Sequence, residues 1–312
     1  MPPPPASPGP GAITLGTIFH KAKEAGWNPA GGREPVPAEI LELNATYFLA
    51  PYGGKVPVFR EFTDPIFGAT MVEPMQAHDF MRLHSNRKVR VPADKGRFKA
   101  IPLGEFWLDH PERRQYNGVV FSPGDDKPGY FNRWRGFAVR PVPGSWALMQ
   151  QHILNVLCRG DQRLYEYVLN WLSRAVQKPS EPGQVAIVLR GGQGTGKGLF
   201  AREFGRLFEP HFMQIAQAKH LTGNFNGHFE CTVVLFVDEG FWAGDKQGEG
   251  ALKNLVTEPF ITTERKGYQA QTSKNCLHLV IASNNDWVVP ADADDRRVFG
   301  PEAGDARAPE AG

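Results

Sequence analysis

The chain has few cysteines, no long apolar run and almost no net charge, and each shortage excludes a class of protein. The three cysteines, Cys158, Cys231 and Cys276, are too widely spaced for a zinc site or a disulfide framework, so we expect buried free thiols. No apolar stretch is long enough to span a membrane and no signal peptide is recognisable, so we expect a cytoplasmic protein without membrane contact. The net charge of +2 over 312 residues leaves nucleic-acid binding to be judged from local patches.

The strongest signal in the sequence is a short apolar run, then a glycine-rich turn with a lysine, then an amphipathic segment. The apolar run, Val185–Leu189, predicts one buried strand. The turn comprises Gly191, Gly192, Gln193, Gly194, Thr195, Gly196, Lys197 and Gly198. The apolar residues after it recur at helical spacing: Leu199, Phe200, Phe204 and Leu207. Strand, turn and helix in this order are typical of a phosphate-binding P-loop.

The chemistry of this turn favours ATP as the ligand. Glycines let the backbone curl so that its N–H groups face an anion, and the following helix adds its positive end. Lys197 supplies a full charge for the β- and γ-phosphates. Gly198 departs from the pattern, which has Ser or Thr there to hold Mg²⁺, so the metal would depend on an acid elsewhere, on phosphate oxygens and on water. A glycine-rich turn that binds no ligand is the alternative.

Two further apolar runs end in polar residues. Thr232–Val237 leads into Asp238, the candidate Mg²⁺ ligand, and Glu239, the candidate base for the attacking water. A third run, starting at Leu277, ends in Asn284 and Asn285, either of which could orient that water and sense the γ-phosphate. Strands that alternate with helices predict a parallel sheet, whose carboxyl edge binds ligands. The alternatives are acids that merely end a strand and amides that cap the next turn.

Two more features near the C-terminus could serve an ATPase that acts on nucleic acid. Arg296 and Arg297 could reach a neighbouring subunit's nucleotide and stabilise transition-state charge, or form surface salt bridges. Residues 261–274 predict a hairpin that turns at Lys266 and Gly267. A lysine at a hairpin tip can grip a phosphate backbone, although lone exposed lysines usually have no such role.

The first half of the chain predicts a smaller α+β region and has two ambiguous segments. Residues 45–60 predict a β-hairpin around Gly53 and Gly54. Residues 82–99 carry seven basic residues and one acid, which suits either a phosphate-binding strip or a solvated edge strand protected by lysines. Residues 121–145 interleave aromatics with arginines, which suits base stacking or, alternatively, a loop held down by its aromatic side chains.

Taken in order, these motifs resemble a known family. Residues 191–198, Asp238 with Glu239, the Lys266 hairpin, residues 282–290 and residues 295–297 are similar to the A, B, B′ and C motifs and arginine finger of superfamily III helicases. The similarity is closest to the helicase domain of phage and prophage primase-helicase proteins. It spans about residues 43–299, and only residues 160–299 carry specific motifs.

The resemblance implies an AAA+-like P-loop ATPase that uses ATP and Mg²⁺, forms a homo-oligomeric ring (a hexamer in this family) and moves along single-stranded DNA with Lys266. Primase or other replisome proteins are its expected partners, and the bacterial host cytoplasm is its expected location. We accordingly expect a Pro-rich disordered start and short helix at 1–42, an α+β region at 43–145, a helical lead-in and ATPase core at 146–299, and a disordered tail at 300–312.

The tail reads like a truncated end, and the sheet is therefore expected to lack a strand beside the phosphate loop. Two other functions remain open on this reading. The chain could be a prophage remnant that binds nucleotide or DNA without productive turnover. It could also be an AAA+ ATPase that remodels protein rather than DNA.

Overall fold

The structure, a computed structural model, describes residues 35–65, 68–93, 97–216, 226–238, 246–284 and 298–300, and single residues at 21, 24, 26, 223 and 303. The helices of this part are α1 (Ala38–Asn44), α2 (Ala77–Leu83), α3 (Leu103–Asp109), α4 (Ala147–Gln151) continuing into a π-helix (His152–Leu157), α5 (Gln162–Gln177), α6 (Lys197–Arg206), a 3₁₀-helix (Gly227–Cys231) and α7 (Lys246–Thr257). The strands are β1 (Tyr47–Leu49), β2 (Val58–Thr63), β3 (Thr70–Met75), β4 (Lys88–Ala93), β5 (Arg97–Pro102), β6 (Val119–Val120), β7 (Phe131–Asn132), β8 (Ala186–Arg190), β9 (Phe212–Ile215), β10 (Val234–Asp238), β11 (Phe260–Thr263), β12 (Gln271–Lys274), β13 (His278–Ser283) and β14 (Val298–Phe299).

The chain divides into two compact units. One contains Met1–Ala45 and Met81–Arg113, and the other contains Thr46–Phe80 and Arg114–Gly312. The boundaries expected from the sequence at residues 43, 146 and 300 stay predictions. The expected start at 1–42 falls mostly outside the described residues. Of the expected tail, the structure describes Gly300 and Ala303, and the Ala303 side chain is buried.

The larger unit is built on a parallel sheet in the order β14-β8-β13-β10-β9, which confirms the predicted α/β architecture. Side chains along β8 alternate between two apolar clusters, because successive residues of a strand face opposite sides of the sheet. Ile187 and Leu189 join one cluster with residues of the π-helix, α5 and α6. Ala186 and Val188 join the other with residues of α7. The sheet is therefore covered by helices on both faces.

One expectation about this sheet is wrong. The strand beside the glycine-rich loop is present, because Val298 and Phe299 pair in parallel with Ala186 and Ile187 at the edge of β8. The ring of Phe299 also stacks on Tyr167 of α5, with 3.9 Å between ring centroids. Apolar packing thus holds the short strand β14 where the sequence led us to expect an open edge.

The remaining strands of the larger unit form smaller sheets. Strands β1, β2 and β3 make an antiparallel sheet, and β11 pairs with β12 as the predicted hairpin. Phe48 lies at the centre of the first sheet's core, between Phe59 and Phe131. The predicted hairpin at residues 45–60 is confirmed by the β1–β2 pairing, with a turn that Tyr52 and Lys55 close through two backbone hydrogen bonds.

The smaller unit contains α1, α3 and the antiparallel ribbon of β4 and β5. The indole N–H of Trp107 in α3 donates a 2.9 Å hydrogen bond to the Asn44 side chain, and Trp107 is fully buried. Arg87 makes a bidentate ion pair with Glu42 of α1. In the described part of the chain, no helix is both long and apolar enough to cross a lipid bilayer.

Candidate functional site

The glycine-rich turn after β8 has backbone conformations that favour glycine. Gly191, Gly194 and Gly196 have φ angles of +144°, +83° and +79°. Space is also restricted at Gly196, where a Cβ atom would lie 2.5 Å from Cε1 of His152. His152 is the first residue of the π-helix, and its Nε2 lies 3.3 Å from the carbonyl oxygen of Gly196. The imidazole of His152 therefore packs directly against the loop.

Lys197 points its ammonium back into this loop. Its Nζ donates hydrogen bonds to the carbonyl oxygens of Gly191 and Gly192, both at 2.7 Å, and to Thr195 Oγ1 at 3.1 Å. Burial lowers the pKa of the ammonium from its usual value, and the charge of Asp238 acts in the opposite direction. Because the loop satisfies all three donors, binding of a phosphate by Lys197 requires exchange of at least one of these bonds.

Helix α6 begins at Lys197 with its N-terminal end towards the loop. Its N-cap is Gly196, and among the residues that the structure describes no side chain caps it. The first backbone N–H groups of a helix have no partner within the helix, so this end is suited to an anion. Beside it lies a cavity of about 420 Å³. Its lining comprises Gln193, Gly194, Thr195, Gly196, Lys197, Gly198, Leu199, Arg202, Asp238, Ala282, Ser283 and Asn284.

Sheet topology explains how Asp238 and Asn284 reach the same cavity as the loop. Strand β13 lies between β8 and β10, so the carboxyl ends of all three strands meet at one edge. Asp238 ends β10, and Asn284 follows β13. The Oδ2 atom of Asp238 accepts a 2.9 Å hydrogen bond from Gln214 Nε2 of β9. The predicted meeting of Lys197, Asp238 and Asn284 at the carboxyl edge is therefore found.

Arg202 is a cavity residue that sequence reasoning missed. Its NH1 atom lies 3.9 Å from Asp238 Oδ2. A Cβ atom at Gly198 would lie 2.9 Å from the same NH1 atom, so the guanidinium uses space that a side chain at 198 would need. The signal was present in the sequence, because residues four apart on a helix lie on the same face and Arg202 follows Gly198 by one turn.

The described residues fit a Mg²⁺ ion that is carried by nucleotide phosphates better than a site built by the protein alone. Asp238 supplies one carboxylate at the cavity, and Gly198 supplies no hydroxyl. Across the described ranges, no group of three or more His, Cys, Asp or Glu side chains is arranged to hold a metal ion. Mg²⁺ commonly binds through one or two carboxylates together with phosphates and water.

Four predicted site residues lie outside the described residues: Glu239, Asn285, Arg296 and Arg297. Their roles stay predictions, as does the choice between Asn284 and Asn285.

The cysteine prediction is tested more directly. Cys158, Cys231 and Cys276 are free, and Cys158 and Cys276 are buried while Cys231 is partly exposed.

Lys266 lies where the sequence placed it, exposed at the turn between β11 and β12. This turn packs against the turn between β1 and β2. The rings of Tyr268 and Tyr52 lie 5.1 Å apart, and Gln269 donates a backbone hydrogen bond to Gly53. Lys55 places its ammonium 5.4 Å from the centre of the Tyr268 ring. The hairpin tip is therefore held in place and presents basic groups to solvent.

A buried carboxylate, Glu230, anchors the same region. It accepts hydrogen bonds from the Tyr52 hydroxyl at 2.7 Å and from both terminal nitrogens of Arg133, at 2.5 and 3.1 Å. Arg265, beside Lys266, approaches it to 3.5 Å. Burial alone would raise the pKa of Glu230, but the charge and hydrogen bonds of Arg133 outweigh burial and hold the pKa below its usual value.

The middle of the aromatic and arginine-rich loop at residues 121–145 packs inward, which supports the second reading of that segment. Arg133 is buried on Glu230, and Phe131 belongs to the core around Phe48. The indole of Trp134 stacks on the imidazole of His211, with 4.6 Å between ring centroids. These side chains hold the loop against the larger unit.

Comparison with known proteins finds a family model and a relative that match the part of the chain containing the site. Residues 189–297, which include the glycine-rich loop, Asp238 and the hairpin, match a protein family described only as a family of unknown function, DUF5906. The chain is also 27% identical over 203 residues to the DNA primase-polymerase of Nitratiruptor phage NrS-1. That match covers 64% of this chain and 27% of the relative, so it reaches only about a quarter of the relative's length.

Solved structures share the fold. The apo structure of the NrS-1 C-terminal region is similar with a TM-score of 0.64 at 19% identity, and the match covers 88% of this chain and 62% of that one. A second form of the same region gives a TM-score of 0.63 at 20% identity, with the same coverage. At these identities the likeness concerns the fold alone.

Proposed function

We propose that the chain is an ATP-dependent motor of phage DNA replication, in which hydrolysis of ATP drives movement along single-stranded DNA. The proposal includes a P-loop, AAA+-like ATPase fold. One observation carries it: a single cavity is lined by the phosphate loop, Lys197, Asp238 and Asn284. The similarity to a phage DNA primase-polymerase supports a role in DNA replication.

In this proposal the loop binds the triphosphate of ATP. Backbone N–H groups at the start of α6 face the phosphates, and Lys197 exchanges its bonds to the Gly191 and Gly192 carbonyls for phosphate oxygens. Asp238 would hold Mg²⁺, which supplies charge neutralisation for the phosphates when bound. Arg202, at the same edge, adds a positive charge beside Asp238.

The remaining roles follow from the order of the motifs. Glu239 would take the proton of the attacking water, and Asn284 or Asn285 would orient that water. Arg296 or Arg297 would act on the nucleotide of a neighbouring subunit in a ring. Lys266, on its anchored hairpin, would hold a DNA phosphate. Support for this last role is the exposure of Lys266 and the packing of Tyr268 on Tyr52.

The experiment that tests the proposal is ATP hydrolysis by the purified chain and by Lys197→Ala. The proposal predicts turnover by the wild type and its loss in the variant, because residues 191–198 would then contain no cation for the β- and γ-phosphates. Lys178→Ala serves as the matched control, since Lys178 is an exposed lysine of the same unit that pairs with Glu181. Undiminished turnover in Lys197→Ala would refute the proposed site.

Two outcomes separate the other readings. Nucleotide binding that depends on Lys197 without any turnover would favour a binding module over a motor. Turnover that single-stranded DNA leaves unchanged, together with unaltered DNA affinity in Lys266→Ala, would favour an ATPase that acts on another partner.

A further inference from the structure

The antiparallel ribbon of β4 and β5 in the smaller unit is a basic surface that the proposed motor site does not use. The pairing places Lys88 opposite Pro102, Arg90 opposite Ala100 and Pro92 opposite Phe98. Because facing residues of paired strands share one side of the ribbon, Lys88, Arg90 and Phe98 lie on the same face. Arg97 and Lys99 lie on the other face by the same rule.

These charges are exposed, and no residue that the structure describes neutralises them. Lys88, Arg90, Arg97 and Lys99 are all solvent-exposed, and within the described residues none of them has a carboxylate partner. The described strands contain no acidic residue. In contrast, Arg87, just before β4, is neutralised by its bidentate pair with Glu42. The positive charge that has no described counter-charge is therefore carried by the side chains of β4 and β5.

Phe98 distinguishes this ribbon from a solvated edge. Lysines and prolines protect an edge strand from aggregation, so the basic residues and Pro92 alone would fit that role. An aromatic ring that is 69% exposed has the opposite effect, because it adds apolar surface where aggregation must be avoided. An exposed ring beside free cations is the arrangement that binds single-stranded nucleic acid, in which bases stack and phosphates pair with the cations.

We propose that the β4–β5 ribbon binds single-stranded DNA, with a base stacked on Phe98 and phosphates held by Lys88 and Arg90. The inference goes beyond the proposed motor, because it concerns a second surface on a different unit and needs no ATP. The six-residue strands are about 20 Å long, which suits a few nucleotides of extended strand.

The test is equilibrium binding of a labelled oligothymidine to the full chain, without nucleotide, over a range of salt concentrations. Three variants are compared: Phe98→Ala, the double variant Lys88→Ala with Arg90→Ala, and a control double variant Arg163→Ala with Lys178→Ala. The control removes two exposed basic side chains from the α5 region of the larger unit. All substituted side chains are exposed, so we expect every variant to fold.

We expect Phe98→Ala to weaken binding about tenfold, the typical contribution of one stacked base. The Lys88 and Arg90 double variant should reduce the slope of log Kd against log salt by about 1.4, since each phosphate contact to a single strand contributes about 0.7. The control should change neither quantity.

Unchanged affinity in both ribbon variants, with clear binding by the wild type, would overturn the inference and leave the proposed motor intact. A second result would also overturn the inference: a DNA duplex binds as tightly as the single strand, and its binding is weakened by the Lys88 and Arg90 double variant but not by Phe98→Ala. The partner of the ribbon would then be double-stranded DNA. Absence of any DNA binding by the wild type would refute both this inference and the DNA-dependent part of the proposed function.

Discussion

The guanidinium of Arg202 lies 3.9 Å from the carboxylate of Asp238, at the edge of the cavity beside the glycine-rich loop. The contact depends on Gly198, where a Cβ atom would come within 2.9 Å of the same guanidinium. Gly198 stands where the P-loop pattern has a hydroxyl for Mg²⁺, and an arginine one turn later occupies the adjoining space. We regard Gly198 and Arg202 as one functional pair.

Replacement of Arg202 by alanine should lower ATP turnover about tenfold, because a positive charge near the transferred phosphate is lost and the site is partly screened by solvent. Arg206→Ala, one turn further along α6 and paired with Glu203, is the matched control and should be silent. The measurement is steady-state hydrolysis at saturating ATP. Equal rates in the two variants would show that Arg202 has no part in the reaction.

Replacement of Gly196 by alanine should abolish nucleotide binding and destabilise the chain by about 1–3 kcal/mol. The new Cβ atom would meet the His152 ring at 2.5 Å, and the residue would also be held at a φ of +79°. Adding His152→Ala removes the clash but not the backbone strain. We therefore expect the double variant to recover stability only in part, as measured by chemical denaturation. Full recovery would mean that the φ angle costs little.

Stability should fall as the pH is lowered from 6.5 to 4, and His211 is one cause. Burial, with the nearby charges of Arg135 and Arg133, lowers the pKa of His211 from 6.5 to about 4. Its Nε2 accepts a hydrogen bond from the Arg135 backbone N–H, so a proton on Nε2 would face that donor. The unfolded chain takes up a proton below pH 6.5 while the folded chain does not, which costs on the order of 3 kcal/mol by pH 4.

The measurement for His211 is the free energy of unfolding at several pH values in this window. His211→Phe should lose part of the pH dependence, because burial also lowers the pKa of His278 to about 4 and that of His84, and the contributions of these two groups remain. His78→Gln, which removes an exposed histidine paired with Asp79, is the control variant. A His211→Phe curve parallel to that of the wild type would contradict this assignment.

Loss of the Glu230 carboxylate should be strongly destabilising. Glu230→Ala leaves the buried Arg133 without its counter-charge, and breaking a buried pair costs about 3–5 kcal/mol. The surface pair of Glu203 with Arg206 is the control, and Glu203→Ala should cost less than about 1 kcal/mol. Denaturant unfolding measures both. Similar costs for the two variants would show that the buried network contributes no more than a surface pair.

Local sequence signals predicted the parts of the site that are close together in the chain. The loop and α6 were predicted from a run of glycines, with an apolar run before them and amphipathic spacing after them. Asp238 and Asn284 were predicted from the polar ends of two further apolar runs. Arg202 could have been predicted by the same reasoning, because it follows Gly198 by one helical turn. The π-helix that brings His152 to Gly196 could not be predicted, because apolar periodicity does not distinguish a π-helix from an α-helix.

Contacts between residues that are far apart in the chain could not be predicted from the sequence. Glu230 is 178 residues from Tyr52 and 97 residues from Arg133, and no local pattern links them. The strand β14 was missed for a related reason. Only two residues form it, and their place beside β8 depends on pairing across more than a hundred residues and on the stacking of Phe299 against Tyr167.

The most direct test of the proposed function is ATP turnover with and without single-stranded DNA, by the wild type and by Glu239→Gln. A motor predicts turnover that rises when DNA is added and that is lost in Glu239→Gln, while ATP binding is retained, because only the base for the attacking water is removed. DNA-independent turnover, or turnover that survives in Glu239→Gln, would contradict the proposal that this cavity powers movement along DNA.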